Sequence, residues 1–230
     1  MCGFVGYLPG SNKQNDNEII EQMMDTIHHR GPDSGGYHVA DHAVLGFRRL
    51  TIIDLSDAGN QPLFDETGRY TLTFNGEIYN HKDIRAELEA KGYKFKSNTD
   101  SEVLVHGYAE WKEGILNKVR GMFAFAIWDE QEQSLFLARD MFGIKPLYYG
   151  KASNDGTFFF GSEIKSFLPH PSFVKEVNKN AVLPYLTFQY PVTNETFFKN
   201  IYKLEPGTWM RVTKDGHMMR KRYWDFKFDA

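Results

Sequence analysis

Apolar positions along this chain fall into short runs broken by turn residues, with stretches of helical spacing between groups of runs. Gly3 to Leu8 reads as a strand stopped by Pro9-Gly10. Between Asn17 and His29, Ile20, Met23, Met24 and Ile27 recur at helical spacing, and Arg30-Gly31-Pro32-Asp33 ends that helix with turn chemistry. Ala43 to Phe47, Leu50 to Asp54 and Tyr70 to Phe74 read as strands. Lys82 to Lys91 is an amphipathic helix closed by Gly92. Thr99, with Glu102 three residues on, predicts the N-cap of a helix running through Trp111. Met122 to Trp128 and Ser134 to Ala138 are apolar runs around Asp129-Glu130-Gln131-Glu132-Gln133, a hairpin with a longer loop. Leu147 to Tyr149 and Thr157 to Gly161 flank a turn at Ser153 to Gly156, and Ala181 to Tyr185 reads as helical. Lys203 to Val212 and His217 to Trp224 predict a last hairpin around Asp215-Gly216.

Strands joined by hairpins, with helices between groups of strands, do not alternate as a doubly wound sheet requires. Two mainly antiparallel sheets packed together and covered by helices fit the order, with Met122 to Trp128 buried on both faces. A core spanning 1–190 is expected, followed by a 191–230 segment that carries the hairpin and begins a connection to a further domain.

Composition narrows the function classes. Hydrophobic residues make up 41% and aromatics 15% of 230 residues, which is enough for a full core. A net charge of −3 gives no basic field for nucleic acid and no polybasic run for a membrane surface. No run approaches the ~18 apolar residues of a membrane span. The single cysteine excludes an internal disulfide and fits a reducing compartment, so a cytoplasmic location is expected. No Walker-type phosphate loop is present, and His28, His29, His38 and His42 lead to no metal-site expectation.

That one cysteine, Cys2, follows the initiator methionine. Removal of Met1 gives one residue both a thiol nucleophile and an α-amine of unperturbed pKa about 7.7–8.0, able to take up the thiol proton. The alternative is a small buried apolar residue. Asn75-Gly76-Glu77 follows a strand: an Asn amide and a Gly N–H there form an oxyanion hole, or Asn-Gly forms a type I′ turn. Arg48-Arg49, set between Phe47 and Leu50, is either a clamp on a substrate carboxylate or a structural ion pair. Asp100 either receives a substrate ammonium or favours the helix dipole. Arg139-Asp140 and Glu163/Lys165 read as internal ion pairs at strand ends.

Taken together, these motifs resemble the class II glutamine amidotransferase domain, an N-terminal-nucleophile hydrolase. The resemblance rests on Met1-Cys2-Gly3-Phe4-Val5-Gly6, Arg30-Gly31-Pro32-Asp33 and Phe74-Asn75-Gly76-Glu77-Ile78-Tyr79-Asn80. Within that group, Arg49 to Ser56, Gly59-Asn60-Gln61-Pro62 and Gly121 to Phe125 resemble the glutamine-hydrolysing asparagine synthetases. So do Arg139-Asp140, Gly143 to Tyr149, Ser162 to Lys165 and Lys203 to Gly207. The resemblance implies a four-layer αββα sandwich with the nucleophile on the first strand. It implies Cys2 as nucleophile with its own amine as base, and Asn75 and Gly76 as the oxyanion hole. It also implies Arg49 on the α-carboxylate of glutamine, with Glu77 and Asp100 on the ammonium group. No cofactor is expected here. ATP and magnesium belong to a C-terminal synthetase domain, whose Ser-Gly-Gly-x-Asp-Ser loop has no counterpart in this sequence. Expected partners are glutamine and that domain, with a homodimer as an option. The rival readings are a glutaminase serving another amide-forming synthetase and a non-catalytic relic domain.

Overall fold

A computed structural model describes residues 2–11, 15–52 and 54–227. The strands are β1 (Gly3–Leu8), β2 (Ser34–Val39), β3 (Val44–Arg49), β4 (Leu63–Phe64), β5 (Tyr70–Ile78) and β6 (Gly121–Asp129). They continue with β7 (Ser134–Arg139), β8 (Tyr148–Lys151), β9 (Phe158–Gly161), β10 (Ile201–Lys203), β11 (Thr208–Thr213) and β12 (Met218–Arg222). The α-helices are α1 (Asp16–Asp25), α2 (His81–Ala90), α3 (Glu102–Trp111) and α4 (Lys179–Phe188). One sheet runs β10-β8-β9-β1-β3-β2 and the other β12-β11-β7-β6-β5-β4, with every pairing antiparallel.

Three apolar clusters define four layers. Val5 and Tyr7 of β1 pack on Ile20, Met23 and Met24 of α1. Phe4, Leu8 and Phe47 of the first sheet meet Ala124, Ala126 and Trp128 of the second. Phe123, Phe125 and Ile127, the alternate residues of β6, face Ile84 and Leu88 of α2 and Val103 and Leu104 of α3. The period-two alternation of a strand thus sorts β6 between two cores, which is why its sequence is apolar at almost every position. The expected αββα sandwich is the fold found.

Several boundaries differ from the sequence reading. Ser34–Val39 is a strand that its Gly-Gly and polar residues concealed. Residues 50–52 and 54–56 are irregular and held by side chains instead of a ladder. Lys203 to Val212 is not one strand: β10 pairs β8 in the first sheet, and β11 pairs β7 in the second. Thr99 is not the cap of α3, whose first residue is Glu102. Its hydroxyl instead contacts those of Ser97 and Ser101 at 2.8 and 3.0 Å. The Glu102 carboxylate reaches back to the N–H groups of Lys96 and Ser97 at 2.8 and 2.9 Å.

Candidate active site

Cys2 precedes β1 and ends where β1 lies beside β3, because Gly3 pairs with Arg48. Its Sγ accepts the Leu50 N–H at 3.3 Å and lies 3.5 Å from the Leu50 carbonyl. Burial pushes the thiol above its ordinary value, and Asp100 adds to this; the Leu50 N–H and the Arg49 charge pull it down. The Cys2 carbonyl accepts from Arg30 Nε at 3.0 Å, and Arg30 Nη1 donates to Glu163 at 2.9 Å. Arg30 closes a short 3₁₀ turn, and Gly31 follows because a Cβ there would stand 2.3 Å from the Arg48 backbone.

Asn75, Gly76 and Glu77 lie inside β5, paired with Ala124, Phe123 and Met122 of β6. The hairpin-turn alternative for Asn75-Gly76 is therefore ruled out. A Cβ on Gly76 would stand 2.2 Å from the Met122 carbonyl, so the close pairing with β6 requires glycine. β4 pairs only with Thr71 and Leu72, which leaves the later part of that β5 edge without a strand partner. Side chains cover it. The Phe74 N–H donates to Gln61 Oε1 at 2.6 Å, and the Ile78 N–H donates to Asp100 Oδ2 at 2.8 Å. Backbone alternation turns the Gly76 N–H to the same edge, between those two. The Asn75 amide, oriented by its hydrogen-bond network, donates from Nδ2 to the Cys2 carbonyl at 2.9 Å. Its Oδ1 accepts from Arg30 at 3.3 Å.

Arg48 and Arg49 point to opposite faces of β3. Arg48 is structural, pairing with Asp25 and donating to the Met24 carbonyl at 3.4 Å. Arg49 is buried and donates to the Ser56 carbonyl and Asn60 Oδ1, both at 2.8 Å, and to the Asp54 carbonyl. It thereby shapes the irregular segment that follows β3. Asp100 is buried, and burial pushes its carboxyl above the ordinary value against the pull of the Ile78 N–H. The capping alternative for Asp100 gives way to this bond to β5.

These groups converge. A cavity of about 130 Å³ is lined by Cys2, Arg49, Asn75, Gly76, Glu77 and Asp100, all six residues singled out from the sequence. Leu50, Gln61 and Lys145 line it as well. Lys145 is buried, and burial together with Arg30 lowers its pKa. The expected Arg139–Asp140 ion pair takes another form. Arg139 donates to the carbonyls of Gly143, Lys145 and Leu204 at 2.6, 2.7 and 2.6 Å. Asp140 accepts the N–H groups of Phe142, Ile144 and Lys145 at 3.0, 2.9 and 2.9 Å. Together they fix the loop that presents Lys145. Glu163 does pair with Lys165, at 3.4 Å, but its shorter bonds go to Arg30 and His29. Sequence reasoning gave Leu50, Gln61, Arg30 and Lys145 no separate role: their roles come from contacts between residues far apart in the chain. Among the described residues no group of three or more His, Cys, Asp or Glu is placed to hold a metal ion. No helix among them is long and apolar enough to cross a membrane.

The nucleophile expected on the first strand lies one residue before it: Cys2 directly precedes β1, beside an Asn amide and an open strand N–H. That arrangement, in a sandwich of this kind, defines a class, and the chain's sequence agrees. The glutamine amidotransferase domain model matches residues 1–224, so the chain belongs to that family. Within it, the chain is similar to asparagine synthetase [glutamine-hydrolyzing] 1 of Bacillus subtilis, at 43% identity over 99% of this chain and 36% of that protein. It is also similar to the amidase chry2 of Gibberella zeae, at 35% identity over 99% of this chain and 35% of that protein. It therefore spans little more than a third of the length of these relatives. The fold is shared with the solved glutamine phosphoribosylpyrophosphate amidotransferase of Bacillus subtilis, with a TM-score of 0.72 at 18% identity, covering 97% of this chain and 49% of that one.

Proposed function

We propose that this domain hydrolyses the side-chain amide of glutamine to glutamate and ammonia, with Cys2 as an N-terminal nucleophile. The observation that carries the reading is the shared cavity, which holds the thiol, the Asn75–Gly76 edge of β5 and the Arg49, Glu77 and Asp100 side chains. With Met1 removed, the Cys2 amine takes the thiol proton and the sulfur attacks the amide carbon. The developing oxyanion meets the Gly76 N–H and the Asn75 Nδ2 hydrogen that is not committed to the Cys2 carbonyl. The protonated amine then gives its proton to the leaving nitrogen, and ammonia departs. Water hydrolyses the γ-glutamyl thioester to glutamate and frees the thiol. Arg49 holds the α-carboxylate while also holding the Ser56 and Asp54 carbonyls. Glu77 and Asp100 hold the ammonium group. The domain needs no metal or cofactor for these steps.

In the longer protein, we infer, a synthetase region uses ATP and magnesium to activate aspartate and takes the ammonia to form asparagine. The relatives named as asparagine synthetases support this acceptor. The relative named as an amidase favours a second reading, in which the ammonia or the amide chemistry serves another carboxylate. Intact mass and glutamate release, measured on one sample, test the domain's own activity. Loss of one Met with glutamate release blocked by a thiol-reactive glutamine analogue is the expected result. Loss of Met without glutamate release would overturn it for the isolated domain. Product analysis of the longer protein, supplied with aspartate and ATP, separates asparagine from other amides.

A further inference from the structure

A second cavity, of about 230 Å³, lies beneath α4 and shares no lining residue with the Cys2 cavity. Its walls are largely apolar and aromatic: Ile164, Pro184, Tyr185, Val192, Phe197 and Phe198. Two of the hydrogen-bond donors in the lining sit side by side on the sheet. Lys203 of β10 and Tyr148 of β8 are direct partners across the antiparallel ladder, so their side chains lie next to one another on one face of the sheet. Among the described residues no acid faces Lys203 closely enough to raise its pKa; burial and the neighbouring Arg139 both lower it. Glu195 lines the cavity, and the Glu163 charge reaches Tyr148, but neither acid pairs with Lys203. Glu195 accepts from Asn178 at 2.9 Å, and Glu163 from Arg30 at 2.9 Å. A half-buried ammonium without an anion carries an uncompensated desolvation cost, and a bound anion removes it.

We propose that this cavity binds a small monocarboxylate with an apolar body. The Lys203 ammonium and the Tyr148 hydroxyl take the carboxylate, and the aromatic walls take the body. The site is independent of glutamine hydrolysis, because it uses none of the residues assigned to that reaction.

The test uses 3-phenylpropanoate as probe, its neutral amide as control, and methyl-labelled protein observed by NMR. Saturable shifts are expected at Ile164 and Val192, with the amide binding at least about tenfold more weakly. Lys203→Gln should weaken the acid by about tenfold and leave the amide unchanged. Tyr148→Phe removes only a hydroxyl and should weaken the acid several-fold, so the proposal stays testable if Lys203→Gln fails to fold. Equal binding of acid and amide, or unchanged acid binding in both variants, would overturn it. Shifts confined to Ile52, at the Cys2 cavity, would overturn it too. The absence of saturable shifts would leave the cavity to a polypeptide occupant and would sink the small-ligand assignment.

Discussion

β5 with β6 and α4 with the segment after it are both rich in apolar residues, and the fold treats them in opposite ways. Phe74, Phe123, Phe125 and Trp128 are all at most 3% exposed. Leu183 and Leu186 of α4 are 71% and 69% exposed, and no residue of that helix is buried. β6 has an apolar core on each face to enter, and β5 places Tyr70, Leu72 and Phe74 in one of them. α4 is held by local devices: Asn178 Oδ1 accepts the Asn180 N–H at 3.2 Å, and Gln189 ends the helix in the left-handed region at φ 59°. Its apolar residues report a surface to be covered, whereas those of β6 report a place in the middle of the molecule. Hydrophobicity alone does not distinguish the two.

Substitutions sharpen that contrast, and the largest effects are expected at the site that the buried region carries. Cys2→Ala should abolish glutamate release while the circular dichroism spectrum and thermal transition stay near those of the parent. Near-normal turnover would refute the assigned nucleophile. Asn75→Ala should lower kcat by about 10² to 10³ with a smaller change in KM, as steady-state glutaminase kinetics would show.

Phe125→Ala, in the core between the second sheet and α2 and α3, should cost about 3–5 kcal/mol in urea unfolding. Leu183→Ala should stay within about 0.5 kcal/mol. A large loss at Leu183 would mean that α4 is packed in solution, and the contrast would fail.

Glu102 offers a subtler break. Burial alone would raise its carboxyl, but bonds from His106, Ser97 and the Lys96 and Ser97 N–H groups hold it at about 2. The folded pKa lies below the unfolded value of about 4.3, so the stabilisation is complete above that pH and is lost as pH falls toward 2. Acid titration of Glu102→Gln should therefore show a flatter loss of stability between about pH 4.3 and 2 than the parent.

Much of this was legible from local pattern. Hairpins at 129–133 and 153–156, the two-sided burial of β6 and the period of α1 all follow from residue spacing. The order of strands and helices was enough to reject a doubly wound sheet. Six of the residues that line the Cys2 cavity were singled out from the sequence, Glu77 through the family resemblance alone, although Asn75-Gly76 read alone fits a turn as well as a strand. What decided against the turn is β6, which pairs with it residue for residue. β2 escaped notice because its Gly-Gly carries no apolar alternation, and its strand state comes from pairing with β3. The chain that crosses between sheets at 204–207 looked continuous because its flanks are equally strand-like.

The sequence by itself determined the elements and the chemical groups, since both depend on neighbours a few residues away. Only the tertiary structure decided which groups share a cavity. It brings Arg30 and Asn75 to the Cys2 carbonyl, sets the Leu50 N–H against Sγ and turns the Gly76 N–H to an open edge. It also separates Arg48 from Arg49, which the sequence presents as a pair. The contacts to Cys2 depend on sheet register and on packing between distant segments, and a one-residue shift of β3 would exchange the faces that Arg48 and Arg49 occupy.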